Sequence, residues 1–448
     1  MAPSDAAPGG TAAAGPAPIT PPAVPPADER LPLTRLLPLA AQHVLAMIAS
    51  PVSTVFLLAG GLRLPPGRTA ALLGATLVLC GAGALLQSLG VLRIGARLPF
   101  MMLPGGAAAA LFLQIAREHG AATASGAVLL AAALLLAVLP LYGRIVRFFP
   151  PLVMGTTVLV IGINMIAVAA PMALGGSAPA LVTVVATTLG FLLLRGVRRQ
   201  LSVLLGIAVG TAAAALTGAA FRTVPSGPVL ALPRLFPYGA PHFDLLAALP
   251  LLVFALASLA EATGQTVLTS EAVGRTPDPA RDVPRTARAD AVASLGAGLL
   301  GGTLMVTSAE NIGIVQLTGV RSRFVTAAAG VLLVLGGLLA PVTRLLAALP
   351  APVVGGAALV IYAVIAAMGI TMLHRAELGD RTSSTVVALT LLAGLLPLLA
   401  PRLYAPLPGW AHTLLGSGVP AAALTATVLS AVCGRLGAAR RTAPAGAG

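Results

Sequence analysis

The chain has 448 residues, 57% of them hydrophobic and 9% charged, with a mean hydropathy of +0.97. A soluble domain carries about 25% charged residues, so this composition excludes one. All 27 basic residues are Arg and the formal net charge is +14, but the arginines stand mostly at the ends of apolar runs, which describes membrane topology rather than a nucleic-acid face.

Residues 1–34 are dominated by Ala, Pro and Gly. They lack a basic start followed by an apolar core, so they read as a disordered N-terminal tail rather than a signal peptide, and residues 437–448 read as a C-terminal tail. Between the tails, apolar runs separated by Arg, Pro and Gly predict fourteen crossings. They cover 36–58, 69–92, 98–117, 124–142, 150–171, 178–194, 201–220, 244–269, 286–301, 303–319, 324–346, 352–373, 383–400 and 418–436. The third, ninth and tenth are short or broken. The expected fold class is therefore an all-α polytopic membrane protein.

The arginines test the count. With both termini in the cytoplasm, twenty of the 27 fall on inside segments and seven on outside loops, as the positive-inside rule requires. Losing one crossing would scramble that alternation downstream.

An internal repeat adds to this. RIVRFFPPLVMGTTVLVIG from Arg144 and RLLAALPAPVVGGAALVIY from Arg344 align at an offset of 200, matching Pro150 with Pro350, Gly155 with Gly355 and Leu159-Val160-Ile161 with Leu359-Val360-Ile361. These are the fifth and twelfth crossings. A separation of seven inverts the second copy, which predicts two inverted seven-span repeats. Such repeats are a transporter signature, with the substrate site near the midplane where helices break. The matching breaks are the third segment, RLPFMMLPGGAAAALFLQ, and the tenth, which contains SAENIGIVQLTG.

Cys80 and Cys433 lie in apolar runs and read as packing residues, no spacing suggests a metal, and no cofactor is expected. Most of the thirteen Asp and Glu, among them Asp28, Asp278 and Asp282, fall in tails or loops. Asp290 opens the ninth span beside Arg288, where an ordinary interfacial pair is one reading. Glu261 and Glu310 are at membrane depth, where each charged acid costs about 2.5–3.5 kcal/mol on insertion scales. Such a group carries a proton or hydrogen-bonds a polar solute. Glu310-Asn311-Ile312-Gly313 reads as the start of a half-helix inside the membrane. Its free N–H groups would meet a solute carbonyl while Glu310 accepts from a solute N–H.

At these residues the chain resembles the nucleobase–ascorbate transporter family. The family signature is Gln, Glu or Pro, then Asn-x-Gly, four residues, Thr, then Arg, Lys or Gly. Here it stands as Glu310-Asn311-Ile312-Gly313, four residues, Thr318-Gly319. Gln42-His43 in the first span, Glu261 in the eighth, the broken third segment and Pro350 to Gly356 also match. The resemblance covers about residues 35–436.

It implies a core domain of spans 1–4 and 8–11 (about 35–142 and 244–346) and a gate domain of spans 5–7 and 12–14 (about 150–220 and 352–436). Short strands in spans 3 and 10 would precede half-helices that meet the substrate. Glu261, Glu310, Asn311, Ile312 and Gly313 would bind a nucleobase, with Phe100, Met101 and Gly105 facing it from the opposite half-helix. Gln265, Gln42, His43, Thr318 and Asp290 would support the site or its coupling. His43 has a second reading, as a satisfied core histidine, and both stay open.

Two departures leave uracil and xanthine open. Gln265 stands where uracil-type members often carry His, and Glu310 stands where xanthine-type members often carry Gln. The resemblance further implies a multi-pass protein of the cytoplasmic membrane that forms a homodimer through its gate domain. The expectation is a proton-coupled nucleobase importer working by alternating access, with Na+ the alternative ion. A sulfate-type anion carrier of the same architecture is opposed by the acids. An intramembrane enzyme is opposed by the absence of a partner for His43 in the sequence.

Overall fold

The apolar run at the start of the chain carries Pro38 and Pro51, and a proline inside a helix removes a backbone donor. It folds as α1 (Leu33–Met47) and α2 (Ala49–Gly61), which meet at Ile48. The computed structural model describes residues 26–142, 151–175, 177–195, 199, 201–218, 227–308, 315, 319–374, 376, 381–408, 411, 415–416 and 418–442. α3 (Pro66–Leu89) starts on a proline at its first turn and stops at Gly90. β1 (Met102–Pro104), α4 (Gly106–His119) and α5 (Ala121–Val138) follow, then α6 (Pro151–Leu174), α7 (Ser177–Leu193) and α8 (Ser202–Leu216).

The second half runs through α9 (Leu245–Ala272), α10 (Pro279–Leu300), β2 (Met305–Thr307), α11 (Arg323–Leu338), α12 (Ala340–Ala347), α13 (Ala351–His374), α14 (Arg381–Leu399) and α15 (Gly418–Thr442). Seven of the helical stretches are long and apolar enough to cross a bilayer, and several shorter apolar helices complete the set. This is an all-α polytopic membrane fold of two inverted repeats. Two short strands among the described residues pair antiparallel, with Met102 opposite Thr307, Leu103 opposite Val306 and Pro104 opposite Met305. The pairing satisfies backbone groups that helices would otherwise have to satisfy at membrane depth.

The inversion is visible in one helix pair. α6 and α13 are both 24 residues long, and their bounds differ by the 200 residues of the sequence repeat. A Cβ on Gly155 would lie 2.9 Å from the Leu373 nitrogen, and one on Gly355 would lie 2.7 Å from the Ala173 nitrogen. Moving Ala173 forward by the repeat and Gly355 back by it returns the first contact, so the interface maps onto itself. Only Gly permits so close a backbone approach.

Two groups of helices pack internally. α3 lies against α11, and α5 lies against both α9 and α10. α6 lies against α13, α7 against α8, and α14 against α15.

Three expectations are corrected. The ninth crossing is a full helix, α10, of 22 residues, because Asp278 caps its N-terminus and Pro279 fits the first turn. Asp282 is therefore not in a loop: it is fully buried and pairs with Arg275 at 2.9 Å. Nor is the stretch to residue 34 all free tail. Residues 26–28 form a 3-10 turn that buries Ala27, the Glu29 carbonyl accepts from Ser322 Oγ at 2.6 Å, and Asp28 pairs with Arg323.

Candidate functional site

α9 supplies the first part of the site. Asp244 caps it, accepting from the nitrogens of Leu246 and Ala247, and the helix then carries Glu261, Gln265 and Thr269 at four-residue spacing on one face. Gln265 Nε2 donates to Glu261 Oε1 at 2.9 Å. Gln265 is buried while Glu261 stays partly accessible. Among the described residues, Gln265 Oε1 and Thr269 Oγ1 are buried without a hydrogen-bond partner.

α10 supplies the second part. Asp290 is buried in mid-helix, and its Oδ1 accepts from Thr307 Oγ1 at 2.7 Å and from Gln87 Nε2 at 3.2 Å. Gln87 Nε2 also donates to Thr307 Oγ1 at 2.8 Å and to the Thr286 carbonyl at 3.0 Å. One buried node thus ties α3, α10 and the end of β2 together. It is no interfacial pair with Arg288, which instead donates to the Arg93 carbonyl at 3.5 Å. Thr266 Oγ1 donates to Thr286 Oγ1 at 3.0 Å, connecting the node to the Glu261 helix. The two carboxyl groups, Glu261 and Asp290, are close enough to interact electrostatically.

The strand pair is fixed from the same side. Met305 N donates to Ser294 Oγ at 2.9 Å, and Ser308 N donates to the Met101 carbonyl at 2.9 Å. Opposite, Gly105 N donates to the Leu304 carbonyl at 2.8 Å, and α4 begins at the next residue. The first N–H groups of a helix have no partner within it, so α4 presents donors inside the bundle.

The structure brings some of the expected residues together and separates others. Glu261 and Gln265 are bonded, Asp290 is beside them, and Met101 and Gly105 flank β1. Phe100 packs instead into an apolar cluster with Ala27, Leu98 and Val273. His43 is buried with Nδ1 bonded to the Leu39 carbonyl at 2.9 Å, one turn back. Gln42 Nε2 is buried without a partner among the described residues. Glu310, Asn311, Ile312, Gly313 and Thr318 lie outside the described residues. The sequence reading missed Gln87, Thr286 and Thr307. Gln87 stands near the end of an apolar run, GALLQSLG, and that lone amide was the available signal.

Among the described residues no group of His, Cys, Asp and Glu has the arrangement to hold a metal. The arrangement can accept hydrogen bonds from a planar polar solute at Glu261, offer it donors from α4, and hold a proton on a carboxyl group.

A model of the Permease family, Xan_ur_permease, matches residues 34–403. The uric acid permeases PucJ and PucK of Bacillus subtilis (strain 168) are 31% and 32% identical to the chain. The alignments cover 88% and 89% of this chain and 92% and 95% of those proteins. Among solved structures, the transmembrane domain of a cyanobacterium bicarbonate transporter, BicA, matches with a TM-score of 0.57 at 17% identity. That match covers 87% of this chain and 96% of the other, and at such identity it speaks to the fold alone.

Proposed function

Because the chain belongs to this permease family, the nucleobase–ascorbate transporters, and is a transporter rather than an enzyme, we propose that it imports a nucleobase across the cytoplasmic membrane in symport with protons. The observation that carries the reading is Glu261: a partly accessible carboxyl group at membrane depth, held by Gln265 and standing beside the buried Asp290 node. A carboxyl group so placed either takes up a proton or accepts from a ring N–H, and a symporter needs both. Relatives named for uric acid favour an oxidised purine, xanthine or uric acid, over uracil.

Glu310 and Asn311 are proposed to meet the ring from the tenth segment, opposite the α4 donors. The packing groups described above support a core of about 35–142 and 244–346 moving against a gate of about 150–220 and 352–436, with alternating access between them. The arginine asymmetry supports cytoplasmic termini. A homodimer through the gate domain rests on the family resemblance. The anion-carrier reading is not favoured, since PucJ and PucK, similar to this chain over most of its length, are named for uric acid.

Uptake of radiolabelled xanthine, uric acid and uracil into proteoliposomes with an acidic exterior tests this. One base should accumulate, lose accumulation with an uncoupler, and fail to accumulate in Glu261→Gln and Glu310→Gln. Accumulation indifferent to the pH gradient and the uncoupler would remove the proton; no uptake of any base by folded protein would remove the substrate class.

A further inference from the structure

Two connections that are distant in sequence meet at one end of the bundle. The segment between α3 and β1 carries Arg93 and Arg97, and the first turns of α10 carry Arg281, Arg285 and Arg288. They are locked together by Gly95 N donating to the Arg285 carbonyl at 2.8 Å and by Arg288 Nη1 reaching the Arg93 carbonyl at 3.5 Å. Arg275 Nη1 adds a bond to the Ala96 carbonyl at 3.3 Å. Arg285 lies near enough to Arg281, Arg93, Arg97 and the Asp282 carboxylate for their charges to act on it.

This convergence is uphill by itself. Arginines of like charge repel, and a single carboxylate, Asp282, acts against them at Arg285. Among the described residues, Asp282 is paired with Arg275, Asp278 caps α10 through the Arg281 nitrogen, and none of the five arginines forms an ion pair. The connecting segment is also strained, with Leu92, Arg93 and Arg97 at φ of 51°, 65° and 57°, a region non-glycine residues seldom adopt. Membrane topology explains arginines in these loops, but not their gathering at one place by cross-bonds and strained backbone. Beside them Val91 and Leu92 project, Leu92 being 87% exposed. Apolar tips next to arginines are the composition of a membrane interface.

We propose that this arginine cluster binds the phosphate of an anionic phospholipid headgroup, with Val91 and Leu92 seated at the acyl boundary. Guanidinium groups pair with phosphate oxygens in bidentate fashion, and basic pockets between spans at this level hold such headgroups. The exposed leucine argues for a lipid over a soluble phosphate, which has no apolar part to cover it. The inference does not depend on which solute the transporter carries.

The test is native mass spectrometry and thermal unfolding of the full chain in detergent, titrated with phosphatidylglycerol or phosphatidylcholine. Wild type should retain phosphatidylglycerol preferentially and unfold at higher temperature with it. Each arginine near an anionic surface is worth about 1 kcal/mol, so Arg93→Gln with Arg97→Gln should weaken retention roughly tenfold or more. Arg281→Gln with Arg288→Gln, on ordinary helical backbone, should do the same and guards against misfolding of the strained segment. Arg402→Gln, on an exposed turn of another connection, should change nothing. Equal retention of the two lipids, or undiminished phosphatidylglycerol retention in both double variants, overturns the proposal. Displacement of the lipid by millimolar inorganic phosphate also overturns it, in favour of a soluble ligand.

Discussion

The Gln87 amide nitrogen and the Asp290 carboxylate, 203 positions apart, are joined at 3.2 Å in the interior, and Thr307 closes the triangle. A buried polar group left without its partner costs about 1–3 kcal/mol. Gln87→Ala removes the donor to Asp290 and to the Thr286 carbonyl together, and should lower the unfolding temperature clearly. Thr307→Val removes the other donor to Asp290. The double variant should be non-additive by about 0.5–3 kcal/mol, as residues of one network are. Thermal unfolding of the four proteins in one detergent measures this, and strict additivity would dissolve the triangle.

Asp290→Asn separates charge from shape. The Asn oxygen still accepts from Gln87 and Thr307, so stability should stay within about 1 kcal/mol of wild type, short of the cost of an unpaired group. If Asp290 takes part in coupling, accumulation driven by a pH gradient should fall at least tenfold. Counterflow exchange of substrate, which needs no net proton movement, should persist. Loss of both activities in a folded protein would make the residue structural.

How far the sequence reached follows from the range of each interaction. Hydropathy and arginine placement are local, so the crossings were legible, and the offset between Gly155 and Gly355 already carried the inversion. Glu261 was legible because an acid in an apolar run is conspicuous. The Gln87 partnership with Asp290 and Thr307 was not, since bonds spanning 203 and 220 positions leave no local pattern. The start of α10 was misplaced because PARDVPRTARAD is rich in charge, although Asp278-Pro279 is a cap followed by a favoured first residue. The signature around Glu310 was legible as a motif, while its residues lie outside those the structure describes.

Gln265 should prove a positioning residue for Glu261. Its amide holds one carboxyl oxygen at 2.9 Å, and its own oxygen is buried without a described partner. Gln265→Ala frees the Glu261 side chain and should raise KM for uptake more than tenfold with a smaller change in maximal rate. Gln265→His, which returns a donor, should recover part of that loss. A KM unchanged by Gln265→Ala would show that Glu261 is oriented by other groups.

Helix crossings that rely on glycine give a test without transport. The Gly337 carbonyl would sit 2.7 Å from a Cβ on Gly74, and the Gly81 carbonyl 2.7 Å from one on Gly330. Backbone cannot yield as a side-chain tip can, so Gly74→Ala and Gly330→Ala should each push α3 from α11 and cost about 1–3 kcal/mol. Gly336→Ala, on the same helix but facing open space, should be neutral or slightly stabilising. Unfolding temperatures of the three variants decide it, and a penalty for Gly336→Ala equal to the others would point to a general intolerance of the helix.

Arg275 and Asp282 give the last prediction. Asp282 is fully buried and Arg275 is 29% exposed, so the pair sits where water screens only one partner. Removing one member of a fully buried pair costs about 3–5 kcal/mol, and the open side of Arg275 lowers that to roughly 1–3 kcal/mol. Asp282→Asn should therefore destabilise through the unpaired guanidinium, and it should also loosen the Arg275 bond to the Ala96 carbonyl that holds the α3–β1 connection. Arg275→Gln with Asp282→Asn, which leaves no charge behind, should recover part of the loss. A double variant less stable than either single one would show that the pair acts through its neighbours rather than through charge compensation.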